Sequence, residues 1–357
     1  MSLDRLTFIN LEKNSIMMKD RFNLSEIFED TSHKYMTYGE RIFKKMTEHK
    51  DKQIGATVGL FIGEQGAGKT TALLYLAEKF INNGEIVIWK GSTREQIYKL
   101  PDWQEKTIFW HHELDELECI VYIGNTKSNI TDKINVKTYK NSKDLIRNLK
   151  KGVINVVYQP TIFKFSKDSE LTKYLIEARA MKVRNLKQFE FKLFNYVHPP
   201  IYFWFELMNY LIYKDDNDWY ALLIDEIDEI FPAVVRDIWW DLMDFAKDHV
   251  RHMRKALVSL FGTTHAYTEI NDKVKNKFQY RCWMRGAKIP KYSIIQKDAT
   301  YYLRRGQMII DSADGYGRYQ IPKYEPTPIE SMIVVVNRTV EESEELEELE
   351  EDPKQII

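Results

Sequence analysis

The sequence predicts an α/β fold in three layers: a mostly parallel sheet covered by helices on both faces. Three observations predict it. Residues Gly63–Thr70 read G-E-Q-G-A-G-K-T, set between the apolar run Val58–Ile62 and the helix-forming stretch Thr71–Phe80. Residues Tyr220–Ile224 are uninterruptedly apolar and are followed at once by Asp225 and Glu226. Residues Ala256–His265 (A-L-V-S-L-F-G-T-T-H) form a second apolar run that ends in small polar residues. Continuous apolar strands of this kind belong to a parallel sheet buried on both sides.

In chain order, residues 1–31 alternate around Leu6–Ile9 and Ser15–Met18, which predicts short strands. Ser32–Lys50 reads as a helix with Tyr35, Tyr38, Ile42 and Met46 near one face. Residues 1–51 are thus expected to form a small β/helical extension ahead of a main domain over 52–328. In that domain Ala56–Ile62 is a strand, Thr71–Asn82 a helix closed by Asn83-Gly84, and Glu85–Lys90 a strand. Strands are expected at 106–110, 119–124 and 153–158, with a helix at 142–151 stopped by Gly152. Residues 161–200 form a lysine- and arginine-rich helical insertion ending at Pro199-Pro200. Ile201–Tyr213 is a buried helix, Asp215–Asp218 a turn, and Val234–Lys255 a helix. Beyond Arg338 the chain is low-complexity, and a disordered acidic tail is expected over 338–357.

The G-x-x-x-x-G-K-[ST] spacing has a chemical reason. Gly63, Gly66 and Gly68 let the backbone curl so that its N–H groups face phosphate oxygens. Glu64, Gln65 and Ala67 complete the loop, and Thr71 opens the helix whose positive dipole end faces the phosphates. Lys69 reaches the β- and γ-phosphates, and Thr70 ligates Mg²⁺. ATP and Mg²⁺ are therefore the expected ligands. Asp225, at the end of its strand, would hold the metal with Thr70, and Glu226, one residue on, would polarise the attacking water. Thr264 or His265, at the end of the neighbouring strand, would sense the nucleotide. An arginine supplied by a neighbouring subunit often completes such sites. Arg251 and Arg254 before this strand, and Arg281 and Arg285 after it, are the candidates.

Composition limits the classes. The 357 residues are 44% hydrophobic, enough for a full core. Two distant cysteines, Cys119 and Cys282, exclude a disulfide framework and favour a reducing, cytoplasmic compartment. The first residues lack an apolar signal core, and no run is long enough to span a bilayer. Net charge is −1, yet residues 341–352 hold nine acids and no base; without them the body carries about +8. A basic body suits a polyanionic partner. The acidic tail, with Leu346 and Leu349 spaced three apart, suits docking on a basic groove.

These residues resemble the FtsK/HerA superfamily of ring-shaped DNA-pumping ATPases. L-F-G-T-T-H-A-Y-T-E-I-N-D-K-V-K-N-K-F-Q-Y-R (260–281) resembles that family's sensor strand and the N-x-F-x-x-R strand after it. Y-Y-L-R-R-G-Q-M-I-I-D (301–311), followed by G-R-Y-Q-I-P (317–322), resembles its terminal hairpin. The resemblance covers roughly 54–325 and implies a RecA-like domain with a C-terminal β-hairpin. It further implies a hexameric ring that hydrolyses ATP at subunit interfaces and moves double-stranded DNA, with Lys164–Lys192 and the Asp272–Lys277 loop as candidate contacts. The family's glutamine is His265 here, and neither a membrane anchor nor a winged-helix domain is expected. Size and simplicity look most like a viral or plasmid packaging or transfer ATPase of archaeal type, at work in a host cytoplasm, with a capsid, nuclease or relaxase partner reached through the tail. Two alternatives remain: a morphogenesis ATPase resembling the zonula occludens toxin family, and a nucleotide-dependent switch or initiator-like DNA-binding module.

Overall fold

The computed structural model describes residues 36–48, 55–161, 171–173, 176–177, 199–235 and 238–339. The strands expected within 1–31, nearly all of the basic insertion and the acidic tail beyond Thr339 lie outside the described residues. The chain divides into two units, 1–37 and 38–357, and the described helices and strands all belong to the second.

Fourteen strands are described: β1 (Val58–Ile62), β2 (Ile86–Lys90), β3 (Arg94–Glu95), β4 (Thr107–His112), β5 (Asp115–Ile123), β6 (Thr126–Asn129) and β7 (Val136–Tyr139), then β8 (Ile154–Val157), β9 (Tyr220–Ile224), β10 (Val258–Thr264), β11 (Tyr280–Met284), β12 (Gln307–Ser312), β13 (Gly315–Gln320) and β14 (Ser331–Arg338). The longer helices are α1 (Tyr38–Thr47), α2 (Lys69–Asn82), α3 (Ser142–Asn148), α4 (Pro199–Ile212) and α5 (Ile238–Met253).

Ten strands form one sheet in the order β13-β12-β11-β1-β10-β9-β2-β8-β4-β7. It is parallel from β11 to β7, and β12 and β13 add the antiparallel hairpin expected at the C-terminal side. Strand alternation sends side chains to two faces. Leu60, Ile62, Leu222, Ile224 and Leu260 join one core with Phe203, Phe205, Leu242 and Phe245 of α4 and α5. Phe61, Leu223 and Phe261 join the opposite core with Phe43 of α1 and Leu73, Leu76 and Phe80 of α2. These two cores separate the three layers of helices, sheet and helices. Burying each such Leu, Ile or Phe contributes about 1.5–3 kcal/mol, which is why β1 and β9 carry no polar residue and β10 keeps its own to Ser259 and its last two positions.

Four expectations change. The strand expected at 119–124 is the end of the longer β5 and stands outside the parallel sheet, in a second, four-stranded sheet of order β3-β14-β5-β6. There Ser331–Arg338 pairs antiparallel with Asp115–Tyr122, so Arg338 closes a strand and does not open a tail. Helix α1 belongs with the main domain and not with an N-terminal extension. Phe43 stacks on Tyr319 of β13 with ring centroids 4.1 Å apart, and the chain divides before this helix, not after it. The helix expected at 142–151 stops at Asn148, because Leu149 turns to an extended ψ of 146°. No helix among the described residues is long and apolar enough to cross a membrane.

Candidate nucleotide site

Register places the candidate residues together. Ile62 of β1 stands beside Thr264 of β10, and Gly262 beside Ile224 of β9, so the carboxyl ends of the three central strands align. In an open α/β sheet the crevice beyond those ends is where ligands bind. The phosphate loop leaves β1 there. Gly66 and Gly68 have φ of 77° and 98°, the left-handed region that side chains with a Cβ resist. The loop is tied down on both sides: Glu64 N–H donates to Arg285 O (3.0 Å), and Gly306 N–H donates to Ala67 O (2.9 Å).

Lys69 is buried, and its ammonium donates to Gly63 O (2.9 Å) and Glu64 O (3.2 Å), with His265 Nδ1 at 3.2 Å. Burial lowers its pKa, while the negative charges of Asp225 and Glu226 oppose that shift. The next residue, Thr70, donates from Oγ1 to Asp225 Oδ2 at 2.9 Å. A hydroxyl and a carboxylate brought together at the head of the loop are the oxygen donors that Mg²⁺ takes, so the residues present fit that ion.

Glu226 follows Asp225 in an unusual backbone state, with φ 56° and ψ 58°. For a residue with a side chain this conformation costs about 1–3 kcal/mol. Thr263 of β10 holds it: the Thr263 hydroxyl accepts from Glu226 N–H (2.9 Å) and donates to Asp225 Oδ1. Burial pushes the Glu226 carboxyl above the usual carboxylate range. The charges of Asp225, Glu229 and Asp228 push it further, and Lys90 opposes them. Lys90, at the end of β2, is ion-paired with Glu229 at 2.8 Å.

Two cavities flank this centre. One, of about 660 Å³, opens beside Asp225 and Glu226 and is lined by Lys90, Arg94, Gln159, and Val334 and Val336 of β14. The other, of about 820 Å³, lies beside Gly68 and Thr71 under Tyr98, Lys99, Arg305 and Gln320. The first is on the side of the candidate water-activating carboxylate. The second adjoins the start of α2 and is large enough for a nucleobase and sugar.

The other predicted residues divide. His265 lies at the site, against Lys69. The Thr264 hydroxyl turns to Ala266 O (3.1 Å), Glu269 (3.3 Å) and Asp228, and not to the Asp225 carboxylate, which Thr263 bonds. Sequence reasoning chose Thr264 and missed Thr263, which strand alternation turns to the other face. Arg254 Nε donates to Ala56 O (3.3 Å) at the amino end of β1, the far end of the sheet from the phosphate loop, and Arg251 lies exposed one turn earlier. Arg281 pairs with Asp311 at 3.7 Å. Of the four arginines, Arg285 alone reaches the phosphate loop of its own chain, donating from Nε to Glu64 Oε1 at 2.7 Å. The motif gave no signal for the parts played by Lys90, Arg305 and Gly306.

No protein-family model matches the chain, and no curated protein does. Among solved structures it is similar to the genome packaging NTPase B204 of Sulfolobus turreted icosahedral virus 2 with sulfate bound. The TM-score is 0.42 and the identity 9%, over 75% of this chain and 98% of that one. It is also similar to the bacterial conjugative coupling protein TrwBdeltaN70, at TM-score 0.46 and 9% identity over 81% and 93% of the two chains. The pCW3 conjugation coupling protein TcpA is similar at 0.38 and 13%, over 79% and 68%. The sheet order, the phosphate loop and the carboxylate pair of this chain define a P-loop NTPase fold on their own geometry.

Proposed function

We propose that this protein is an ATP-hydrolysing motor that moves double-stranded DNA, working as a hexameric ring with ATP bound between subunits. One observation supports the hydrolytic part: Glu226 stands directly after Asp225, and Thr263 bonds both the Glu226 N–H and the Asp225 carboxylate. A site that only binds nucleotide has no need of a second carboxylate in that place. Partial burial and the neighbouring charges of Asp225, Glu229 and Asp228 raise the Glu226 carboxyl above its ordinary value, the direction that favours proton uptake by a general base. Lys69 and the loop N–H groups bind and orient the phosphates, and Glu226 orients and deprotonates water. Mg²⁺, held by Thr70 and Asp225, would supply charge for the leaving phosphate oxygens.

DNA as the load is supported by the resemblance of 260–281 and 301–322 to the DNA-pumping ATPases and by the positive charge of the body. The ring is supported by the same resemblance, with Arg251 or Arg254 offered to the site of a neighbour. Packaging or transfer of a viral or plasmid genome is the task we assign to it. The test is the ATPase rate across protein concentrations, with and without linear duplex DNA. We expect activity per subunit to rise steeply with concentration and to be stimulated by duplex. A rate independent of both would refute the motor and leave a nucleotide switch.

A further inference from the structure

We infer that the segment between β11 and β12, residues 286–306, is the surface that grips the phosphate backbone of duplex DNA and that the phosphate loop drives it directly. The inference rests on DNA being the load. Five cations lie in this segment, Lys288, Lys291, Lys297, Arg304 and Arg305, against one acid, Asp298; the two arginines line the cavity beside Gly68, so the three lysines carry the grip. All five are exposed, and none forms an ion pair with a described residue. Among them stand Tyr292 and Tyr302, 70% and 77% exposed, with Tyr301 and Ile294 also in the open. Lysine, arginine and tyrosine are the side chains that bond DNA phosphate and sugar.

The segment is built and not slack. Ala287, Ile289, Ile295 and Leu303 plug into the same core as β1. The buried Thr300 hydroxyl donates to Ala287 O (2.7 Å), and Gly286 N–H donates to Thr300 O (3.4 Å), closing the segment on itself. Its cations are therefore displayed from a fixed base.

The contrast with the Asp272–Lys277 loop is chemical. There Lys273 is paired with Asp244 (2.9 Å) and lies over the Trp240 ring (4.2 Å), and Lys275 is paired with Asp272. Two of the three lysines of that loop are thus neutralised within the chain and offer less to a polyanion. The displayed segment carries net charge that nothing described balances, and a polyanion is what balances it.

Its two ends are both fastened to the phosphate loop. Arg285, just before it, accepts from Glu64 N–H through its carbonyl and donates to the Glu64 carboxylate through its guanidinium. Gly306, at its end, donates to Ala67 O. Any shift of the loop on binding or release of phosphate moves both anchors of the cationic segment together. Such a linkage is what a motor needs between its fuel and its grip.

The test is the affinity of the full-length protein for a fluorescein-labelled 30-base-pair duplex across a salt series. It compares wild type, the triple variant Lys288→Ala/Lys291→Ala/Lys297→Ala, and a control of equal charge, Lys127→Ala/Lys133→Ala/Lys143→Ala. Native mass and melting curves are recorded on each. Each phosphate contact contributes about 0.9 to the slope of log affinity against log salt, so the segment variant should lose about 2 to 3 from the wild-type slope. The control should keep the wild-type slope. An unchanged slope in the segment variant, or an equal loss in both variants, overturns the assignment while leaving the DNA motor standing. An unchanged slope with loss of the oligomer reassigns the surface to subunit contact. Wild type that does not bind duplex sinks the motor reading and this inference together.

Discussion

Replacing Thr263 by valine keeps the shape of the side chain and removes its hydroxyl. That hydroxyl is fully buried and makes two bonds, one from Glu226 N–H at 2.9 Å and one to the Asp225 carboxylate. The first loss leaves a backbone donor facing an apolar wall, at about 1–3 kcal/mol. The second removes a bond to a charged group worth about 1.5–3 kcal/mol. Water reaching the half-exposed acids recovers part of both, so the net destabilisation should be about 2–4 kcal/mol. The effect on turnover is separate. Without Thr263 the left-handed Glu226 relaxes toward an ordinary conformation and its carboxylate leaves the water-activating position, so kcat should fall by about 10²-fold or more. Binding of ATP depends on the phosphate loop, so KM should move much less. Thr263→Ser, which keeps both bonds, should hold most of the activity. Chemical unfolding and steady-state ATPase on the three proteins decide it. Thr263→Val with wild-type kcat would refute the claim that this hydroxyl sets the position of Glu226.

Glu226→Gln should retain ATP binding, measured by calorimetry, and lose hydrolysis by about 10²–10⁴-fold, since an amide accepts no proton. Hydrolysis at the wild-type rate would move the base to Asp228 or Glu229. Glu85, buried just before β2, has its pKa raised by burial from 4.5 to about 8. The folded state thus favours its neutral form, and stability present at low pH is lost as pH rises from about 4.5 to about 8, by a few kcal/mol in order of magnitude. Glu85→Gln should match wild type near pH 4 and melt higher at pH 8; parallel pH profiles for the two proteins would count against a buried, neutral Glu85. Gly262→Ala would set a Cβ 2.5 Å from Ile227 Cδ1, directly after the strained Glu226. Overpacking of this kind costs about 1–3 kcal/mol, and a lower melting temperature together with reduced kcat is expected. A variant that melts and hydrolyses like wild type would show that the Ile227 turn yields without cost.

What the sequence determined by itself was local. Gly63–Thr70 set the phosphate loop because its spacing encodes backbone torsions and one lysine reach, all within eight residues. Strands β1 and β9 were legible because burial on both faces leaves an unbroken apolar run, and β10 as a largely apolar run ending in Thr263 and Thr264. Asp225 and Glu226 were legible as the acids ending such a strand. Everything that depended on partners far along the chain was decided by tertiary structure. Ser331–Arg338 is rich in β-branched residues, but that run does not say that it will pair with Asp115–Tyr122 in a second sheet. Thr263 and Thr264 read alike in sequence, and only the seating of β10 between β1 and β9 turns Thr263 onto the acids. Arg285, read as one of four candidates to serve a neighbour, is fastened to Glu64 in its own chain because β11 lies beside β1. The physical reason is one of range. Torsional preference and apolar periodicity act over a few residues and are written in order along the chain, whereas strand order and register emerge from the packing of two cores on opposite faces of one sheet, which no local stretch records.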